Sequence, residues 1–424
     1  MKLVLASWGS RGEIEPCAAV GRELLSRGHD VRLAVPPDLV DYAATAVPET
    51  VAFGSDLNAI MDAYRNFWTG MFHNPWRVKD LMRLWREMSE PLTQCWAEMS
   101  RTLTSLTDGA DLLLSSNVGF ELQAANIAEY HDIPLATLHW YPMRANGQLT
   151  PFLPAPVGRA AMQLYDWASR GGWAKQVEKE QRRELGLPSA RGPWPRRIIE
   201  RGPLEIQAYD EVCFPGLAAE WAKWGDQRPF VGALTLELAT QADEEVAAWI
   251  AEGTPPIFFG FGSMPVESPA DTLAMIAAAC AQLGKRALVG AAWDDFTGVP
   301  TYAHVKVVSV VNFVEVFPAC RAVVHHGGAG TTALGMRAGI PALILSTDAN
   351  QALWGSQVKR LKVGTGRRFA ATTEKTLVAD LRTILAPDYL ARARALAPKM
   401  TRPADGAARA ADHLENFARS RCLR

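Results

Sequence analysis

The sequence predicts an α/β protein made of two parallel sheets, each wrapped by helices. Three observations predict it. Strand-length apolar runs alternate with amphipathic helical stretches, the pattern of strand–helix–strand units. The pattern restarts after Pro256 with a second strand that ends in glycines and a serine. The chain has 424 residues, 48% of them hydrophobic, which suits two domains of about 200 residues, each with a full core.

The elements follow in order. Residues 3–7 form the first strand, because the apolar run is too short for a signal peptide and meets Ser7-Trp8-Gly9-Ser10-Arg11-Gly12. An amphipathic helix over 15–27 is closed by Gly28, and strand 31–35 is halted by Pro36-Pro37. Strand 112–115, helix 119–131 and strand 134–139 complete the first doubly wound unit. Pro215, Gly225, Pro229 and Gly232 interrupt the pattern and place the join between 214 and 252. Strand 256–263, helix 269–283 and strands 286–290, 305–311, 322–325 and 341–345 build the second unit. A last helix over 405–419 is positioned to cross back to the first. The reading is two Rossmann-like domains, 1–220 and 221–404, with 405–424 as the returning segment. Ligands of such sheets lie beyond the carboxyl ends of the strands, so the active site is expected in a central cleft.

Composition excludes several classes. The 44 basic and 45 acidic side chains give a formal charge of −1, so no global field favours nucleic acid. Six cysteines without a C-x-x-C pair read as reduced thiols of a cytoplasmic protein, with neither a zinc site nor a disulfide framework. No apolar stretch approaches the length that spans a bilayer.

The densest chemistry is Val323-Val324-His325-His326-Gly327-Gly328-Ala329-Gly330-Thr331-Thr332. A buried strand delivers two histidines and a glycine-rich turn to a helix start, where backbone N–H groups and the positive helix end bind phosphate. His325 reads as structural, since adjacent strand residues point to opposite faces.

Gly9-Ser10-Arg11-Gly12-Glu13-Ile14-Glu15-Pro16, Gly260-Phe261-Gly262-Ser263 and the histidine–glycine run together resemble the GT-B glycosyltransferases. The likeness is to the actinobacterial branch that decorates glycopeptide antibiotics, sterols and mycobacterial glycopeptidolipids, and it covers nearly the whole chain. It implies an inverting, metal-independent transferase moving a sugar from a nucleotide diphosphate to a hydroxyl. That nucleotide-sugar is a co-substrate; no cofactor and no metal are implied.

Inverting transfer needs a base for the acceptor hydroxyl and donors for the departing diphosphate. The resemblance makes Glu13 the base, where the family usually carries aspartate. The competing reading is that Glu13 only caps the helix, and a helix start is a poor place to raise a carboxylate pKa. Glu15 reads as a capping acid, and His139 either faces the acceptor or, as a lone histidine more often does, serves as a hydrogen-bonded structural residue. By the same resemblance His326 contacts a phosphate oxygen, the amides around Gly328, Gly330, Thr331 and Thr332 cradle the group, and Ser263 donates from the other side. Asp348, Asn350 and Gln351 meet the sugar; Asn350 stands where the family has an acid, so an amide that donates and accepts replaces a carboxylate that only accepts. Val311 and Phe313 lie in the stretch against the nucleobase, which leaves uracil and thymine undivided.

Two further segments bear on the acceptor. Phe67, Trp68, Met71, Phe72, Trp76, Met82, Trp85, Met88, Trp96 and Met99 crowd together, with Pro75 and Pro91 expected to break any long helix into short amphipathic pieces. They suit either core packing or the wall of a pocket for a hydrophobic, hydroxyl-bearing acceptor. Arg182, Arg183, Arg191, Arg196, Arg197 and Arg201 form a basic stretch that suits either a solvated loop or anionic headgroups, hence peripheral contact at the inner face of a membrane. A nicotinamide oxidoreductase is disfavoured because the first turn lacks G-x-G-x-x-G. A non-catalytic nucleotide-sugar binder, or an epimerase or hydrolase on the same fold, remains as the alternative.

Overall fold

The computed structural model describes residues 1–56, 63, 66–67, 76–116, 120–149, 153–168, 172–190, 194–236, 240, 242–260, 268–290, 300–309 and 311–422. Its first sheet contains β1 (Lys2–Ala6), β2 (Asp30–Val35), β3 (Thr50–Ala52), β4 (Leu112–Ser115), β5 (Leu135–His139) and β6 (Leu204–Gln207) in the order β3-β2-β1-β4-β5-β6. The second contains β7 (Ile257–Gly260), β8 (Ala287–Gly290), β9 (Val305–Val308), β10 (Ala322–His325), β11 (Ala342–Ser346) and β12 (Gly364–Arg368) in the order β12-β11-β10-β7-β8-β9. Every pairing is parallel, with Leu5 opposite both Leu33 and Leu114, and Val324 opposite Phe259. Each sheet therefore reverses its strand order once, between β1 and β4 and between β7 and β10. Those are the two places where a crevice opens at the strand ends.

Strand alternation sends neighbours to opposite faces, and both faces are covered. Leu3 and Leu5 pack with helix α1 (Arg11–Ser26), whereas Val4 and Ala6 pack under helix α2 (Val78–Leu106) and helix α3 (Glu121–Tyr130). In the second sheet Ile257 and Phe259 face one core and Phe258 the other.

Two sequence expectations need correction. Helix α1 begins at Arg11, four residues earlier than periodicity suggested, which puts Glu13 inside its first turn. Helix α2 runs unbroken through Pro91 for 29 residues. A proline inside a helix costs about 3 kcal/mol, and burial of Cys95, Trp96, Met99 and Leu103 on the sheet offsets it. The region around the join is packed: Tyr209, Cys213, Phe214, Leu217 and Trp221 share one core with Met336, Trp354 and Val358 of the second half.

The last helix (Pro403–Cys422) packs on α1, placing Leu414 in the same core as Leu3 and Leu5. Arg27 reaches Asp412 at 2.7 Å and Glu415 at 3.2 Å. Cys17, Cys95, Cys213, Cys280 and Cys320 are buried free thiols. No helix among the described residues is long and apolar enough to cross a membrane.

Candidate functional site

The first turn sits at the β1/β4 switch point. Ser7 Oγ, which also meets Ser116 Oγ at 3.0 Å, donates to the Glu13 carbonyl at 3.0 Å, and Ser116 Oγ donates to it at 3.1 Å. Two hydroxyls at the ends of neighbouring strands thus fix the backbone of Glu13. Its side chain folds back over Gly9, and a Cβ there would stand 2.0 Å from Oε2, so only glycine leaves the carboxyl room. The Ser10 N–H donates to the same oxygen at 2.6 Å.

The capping bond is therefore real, but capping does not determine the acidity. Burial pushes the Glu13 carboxyl up from 4.5 to about 7, the Ser10 hydrogen bonds oppose it, and the charge of Asp348 adds to the rise. The expectation that a helix start is a poor place to raise a carboxylate pKa fails here, because desolvation outweighs the amide dipole. Glu15 is not a capping acid either: Oε1 accepts the Leu236 N–H at 2.8 Å and ties α1 to the segment joining the halves.

The second turn sits at the β7/β10 switch point. His325 is fully buried, its Nδ1 accepts the Gly327 N–H at 3.1 Å, and burial drives its pKa down to about 3, so it is a neutral structural residue. His326 is only half-buried. Burial lowers its pKa, while the charge of Asp348 and a hydrogen bond to the Gly260 backbone oppose the fall. Its Nδ1 has no hydrogen-bond partner. Gly328 caps helix α4 (Ala329–Arg337), and a Cβ on it would come within 2.9 Å of His326 Nε2. Gly330 and Thr331 lie in the first turn of α4, where backbone amides have no carbonyl one turn earlier. Thr332 instead turns inward, its hydroxyl donating to Gly328 O at 2.7 Å.

The loop after β11 closes against this turn. Gly327 has φ +103°, and a Cβ there would meet the Gln351 carbonyl at 2.9 Å. Asp348 caps the following helix α5 (Ala349–Arg360) by accepting the Gln351 N–H at 2.9 Å. The Gln351 side-chain oxygen is engaged by Thr347 N–H at 2.8 Å, whereas Asn350 is exposed. Val311 is buried, and Phe313 stacks on Phe317 at 4.8 Å, so both side chains belong to a core and only backbone is left for a base. The Asn312 N–H is taken by Asp243 at 2.8 Å. Ser263 lies outside the described residues.

Sequence reasoning missed a buried charge cluster at the ends of β5 and β6. Glu121 meets His139 at 2.7 Å and Arg144 at 3.0 Å, and Glu205 meets Arg144 and Arg228, each at 2.5 Å. Burial pushes both carboxyls up, but Arg144 chiefly reverses this and holds them low, Glu205 at about 2. The one sequence signal was Glu121 and His139 at the start and end of neighbouring elements. His139 is structural, as read.

Part of the basic stretch turns inward as well. Arg182 pairs with Glu129 at 2.8 Å and Arg197 pairs with Glu178, whereas Arg183 is exposed and Arg201 meets Glu129 at 3.3 Å from a largely exposed position; Arg191 and the side chain of Arg196 lie outside the described residues. Among the described residues no group of three or more His, Cys, Asp or Glu side chains could hold a metal ion.

Comparison with known proteins agrees with this arrangement. Residues 273–406 match the family described as Erythromycin biosynthesis protein CIII-like, C-terminal domain. An uncharacterized glycosyltransferase of Mycobacterium tuberculosis is 56% identical over 423 residues, covering 99% of each chain. The chain belongs to this glycosyltransferase family. Two solved structures share the fold of the transferase across nearly its whole length. CalG4, the calicheamicin glycosyltransferase, has a TM-score of 0.72 at 18% identity, covering 98% of each chain. The glycosyltransferase VinC, solved in complex with dTDP, has 0.68 at 17% identity, covering 99% of this chain and 100% of its own. The architecture is GT-B, two Rossmann-like units facing a cleft, with β1 and β7 opening corresponding turns.

Proposed function

We propose that this glycosyltransferase moves a hexose or 6-deoxyhexose from a UDP- or dTDP-sugar to a hydroxyl of a hydrophobic lipid, glycopeptidolipid or other secondary-metabolite acceptor, with inversion and without a metal. One observation carries the reading. The charge of Asp348, at the start of α5, bears on Glu13 after β1 and on His326 after β10, which supports a single site spanning the two turns.

In the proposed reaction the Glu13 carboxylate takes the proton of the acceptor hydroxyl as that oxygen attacks the anomeric carbon. The bond from that carbon to the diphosphate oxygen breaks, and the electron pair leaves with the diphosphate. A base whose pKa stands near 7 is matched to this work, being ionised in use yet basic enough to accept a proton. His326 and the amides at Gly328, Gly330 and Thr331 receive the charge that develops on the leaving group. A diphosphate at His326 would also favour its protonated form, which burial otherwise disfavours. Ser263 completes the phosphate contacts in this reading, Val311 and Phe313 offer backbone to the pyrimidine, and Asp348, Asn350 and Gln351 meet the sugar hydroxyls.

Calorimetric titration with UDP, dTDP and GDP, followed by the matching sugar nucleotides, tests the donor. Tight binding of one pyrimidine diphosphate with release from its sugar nucleotide on acceptor addition supports the proposal. Binding without turnover would favour a non-catalytic binder.

A further inference from the structure

Helix α2 divides into two unlike halves. Its later turns bury Cys95, Trp96, Met99 and Leu103, but its start and the turn just before it face solvent: Trp76 is 72% exposed, Val78 61%, Met82 62% and Trp85 41%. The large exposed hydrophobic side chains of the described residues all precede residue 200, and these four fall within ten positions. Val78, Met82 and Trp85 follow one another at helical spacing and make one stripe. Lys79, Arg83 and Arg86 repeat the same spacing one residue on, so a basic stripe runs beside the apolar one. Residues 76–87 carry four basic and two acidic side chains, in a chain whose formal charge is −1.

Two adjoining grooves share Trp85. One, about 440 Å³, is lined by Val78, Leu81 and Met82; the other, about 550 Å³, by Ser89, Thr93 and Trp173. From Trp173 the rings continue inward: Trp173 to Trp96 at 5.5 Å, Trp96 to Phe120 at 5.3 Å, and Phe120 to Trp8 at 5.3 Å, beside the turn that carries Glu13. An apolar stripe with tryptophan and methionine, flanked by lysine and arginine, is the composition of a helix that lies in a bilayer interface.

We propose that the first turns of α2 dock on an anionic phospholipid bilayer, with Trp76, Met82 and Trp85 at the headgroup boundary and Lys79, Arg83 and Arg86 on the lipid phosphates. This surface is set apart from the arginine stretch 182–201, where Arg182 and Arg197 are committed to ion pairs with Glu129 and Glu178. It builds on the proposed function by naming the surface that presents a hydrophobic acceptor. The test reads binding alone, so its failure leaves the transferase reading intact, and failure of donor binding leaves this one intact.

Cosedimentation of the full chain with phosphatidylcholine vesicles, with and without phosphatidylglycerol, is the experiment. Binding is expected only when phosphatidylglycerol is present, and it should weaken with salt. The triple variant Lys79→Glu, Arg83→Glu, Arg86→Glu should bind about a hundredfold more weakly. Quenching of tryptophan emission by brominated lipid should fall in Trp76→Ala, Trp85→Ala. Both variants should keep the wild-type circular dichroism and UDP affinity, because the changed side chains are exposed. Absence of binding, equal binding to neutral vesicles, or binding unchanged in both variants overturns the proposal. So does a dimer that Trp85→Ala dissociates and that leaves vesicles unbound.

Discussion

Two turns of the first sheet unit each carry a glutamate at a helix start, Glu13 after β1 and Glu121 after β4, and their carboxyls move in opposite directions. Burial pushes both upward. Around Glu121 the neighbours are Arg144 and His139, and their charge overrides burial. At Glu13 the charged neighbour that counts is another acid, Asp348, so burial prevails and the carboxyl stands at about 7. Desolvation without a cation beside it leaves a carboxylate basic; desolvation beside an arginine makes a structural tie. Sequence position does not distinguish them, since both are acidic residues near the end of a parallel strand.

The sharpest way to break the comparison is to neutralise each acid. Glu13→Gln keeps the bond to the Ser10 N–H and removes the base. Turnover should fall by about a hundredfold to ten-thousandfold while the affinity for the nucleotide diphosphate is unchanged, as steady-state assays paired with calorimetry would show. Near-normal turnover would reduce Glu13 to a cap. Glu121→Ala should have the converse signature. It takes one of the two carboxylates from Arg144, which keeps Glu205, and leaves His139 Nε2 without its partner in the interior, and it should cost roughly 1–3 kcal/mol in urea unfolding, with the folded fraction still turning over. A loss of turnover larger than the loss of stability would show that the cluster serves the chemistry.

A smaller effect is expected across the cleft. His326→Ala removes the half-buried ring beside Gly328 and should weaken UDP or dTDP binding by about tenfold to a hundredfold, the range for a hydrogen bond to a charged group. Binding to wild type should also strengthen as pH falls, because a bound diphosphate favours the protonated ring that burial disfavours. A pH-independent affinity, unaltered by the substitution, would place the phosphate elsewhere.

The fold was largely legible because it is written in local signals. Apolar strand runs, glycine turns and the restart at Pro256 gave both sheets, and the glycine-rich turn after His326 was visible from residue types alone. Legibility ended where a property depends on what comes near in space. Pro91 signalled a break, but the sheet under Trp96 and Met99 overrode it. The arginines of 182–201 looked like a surface patch until Glu129 and Glu178 came within reach of Arg182 and Arg197. Capping and basicity looked like rival roles for Glu13, yet Gly9 makes the space in which the capping carboxyl is also buried and its pKa raised. Asn350 in place of an acid was legible as a departure, whereas the engagement of the neighbouring Gln351 oxygen by Thr347 was not.

The least of the expected effects is thermodynamic, and it tests the cause rather than the role. A carboxyl at 4.5 in the unfolded chain and at about 7 in the folded one binds more protons when folded, so stability falls as pH rises between those values. Below the lower value both states are protonated and nothing is lost; above the upper one the full cost is present. The difference corresponds to roughly 3 kcal/mol, and partial solvent access to Glu13 reduces it to about 1–2 kcal/mol. Glu13→Gln, neutral at every pH, escapes that cost. The variant should therefore match wild type in urea unfolding near pH 4 and exceed it by that margin near pH 8. If the two curves stayed parallel over that range, Glu13 would titrate as an ordinary surface acid, and its difference from Glu121 would be one of partners without consequence for protons.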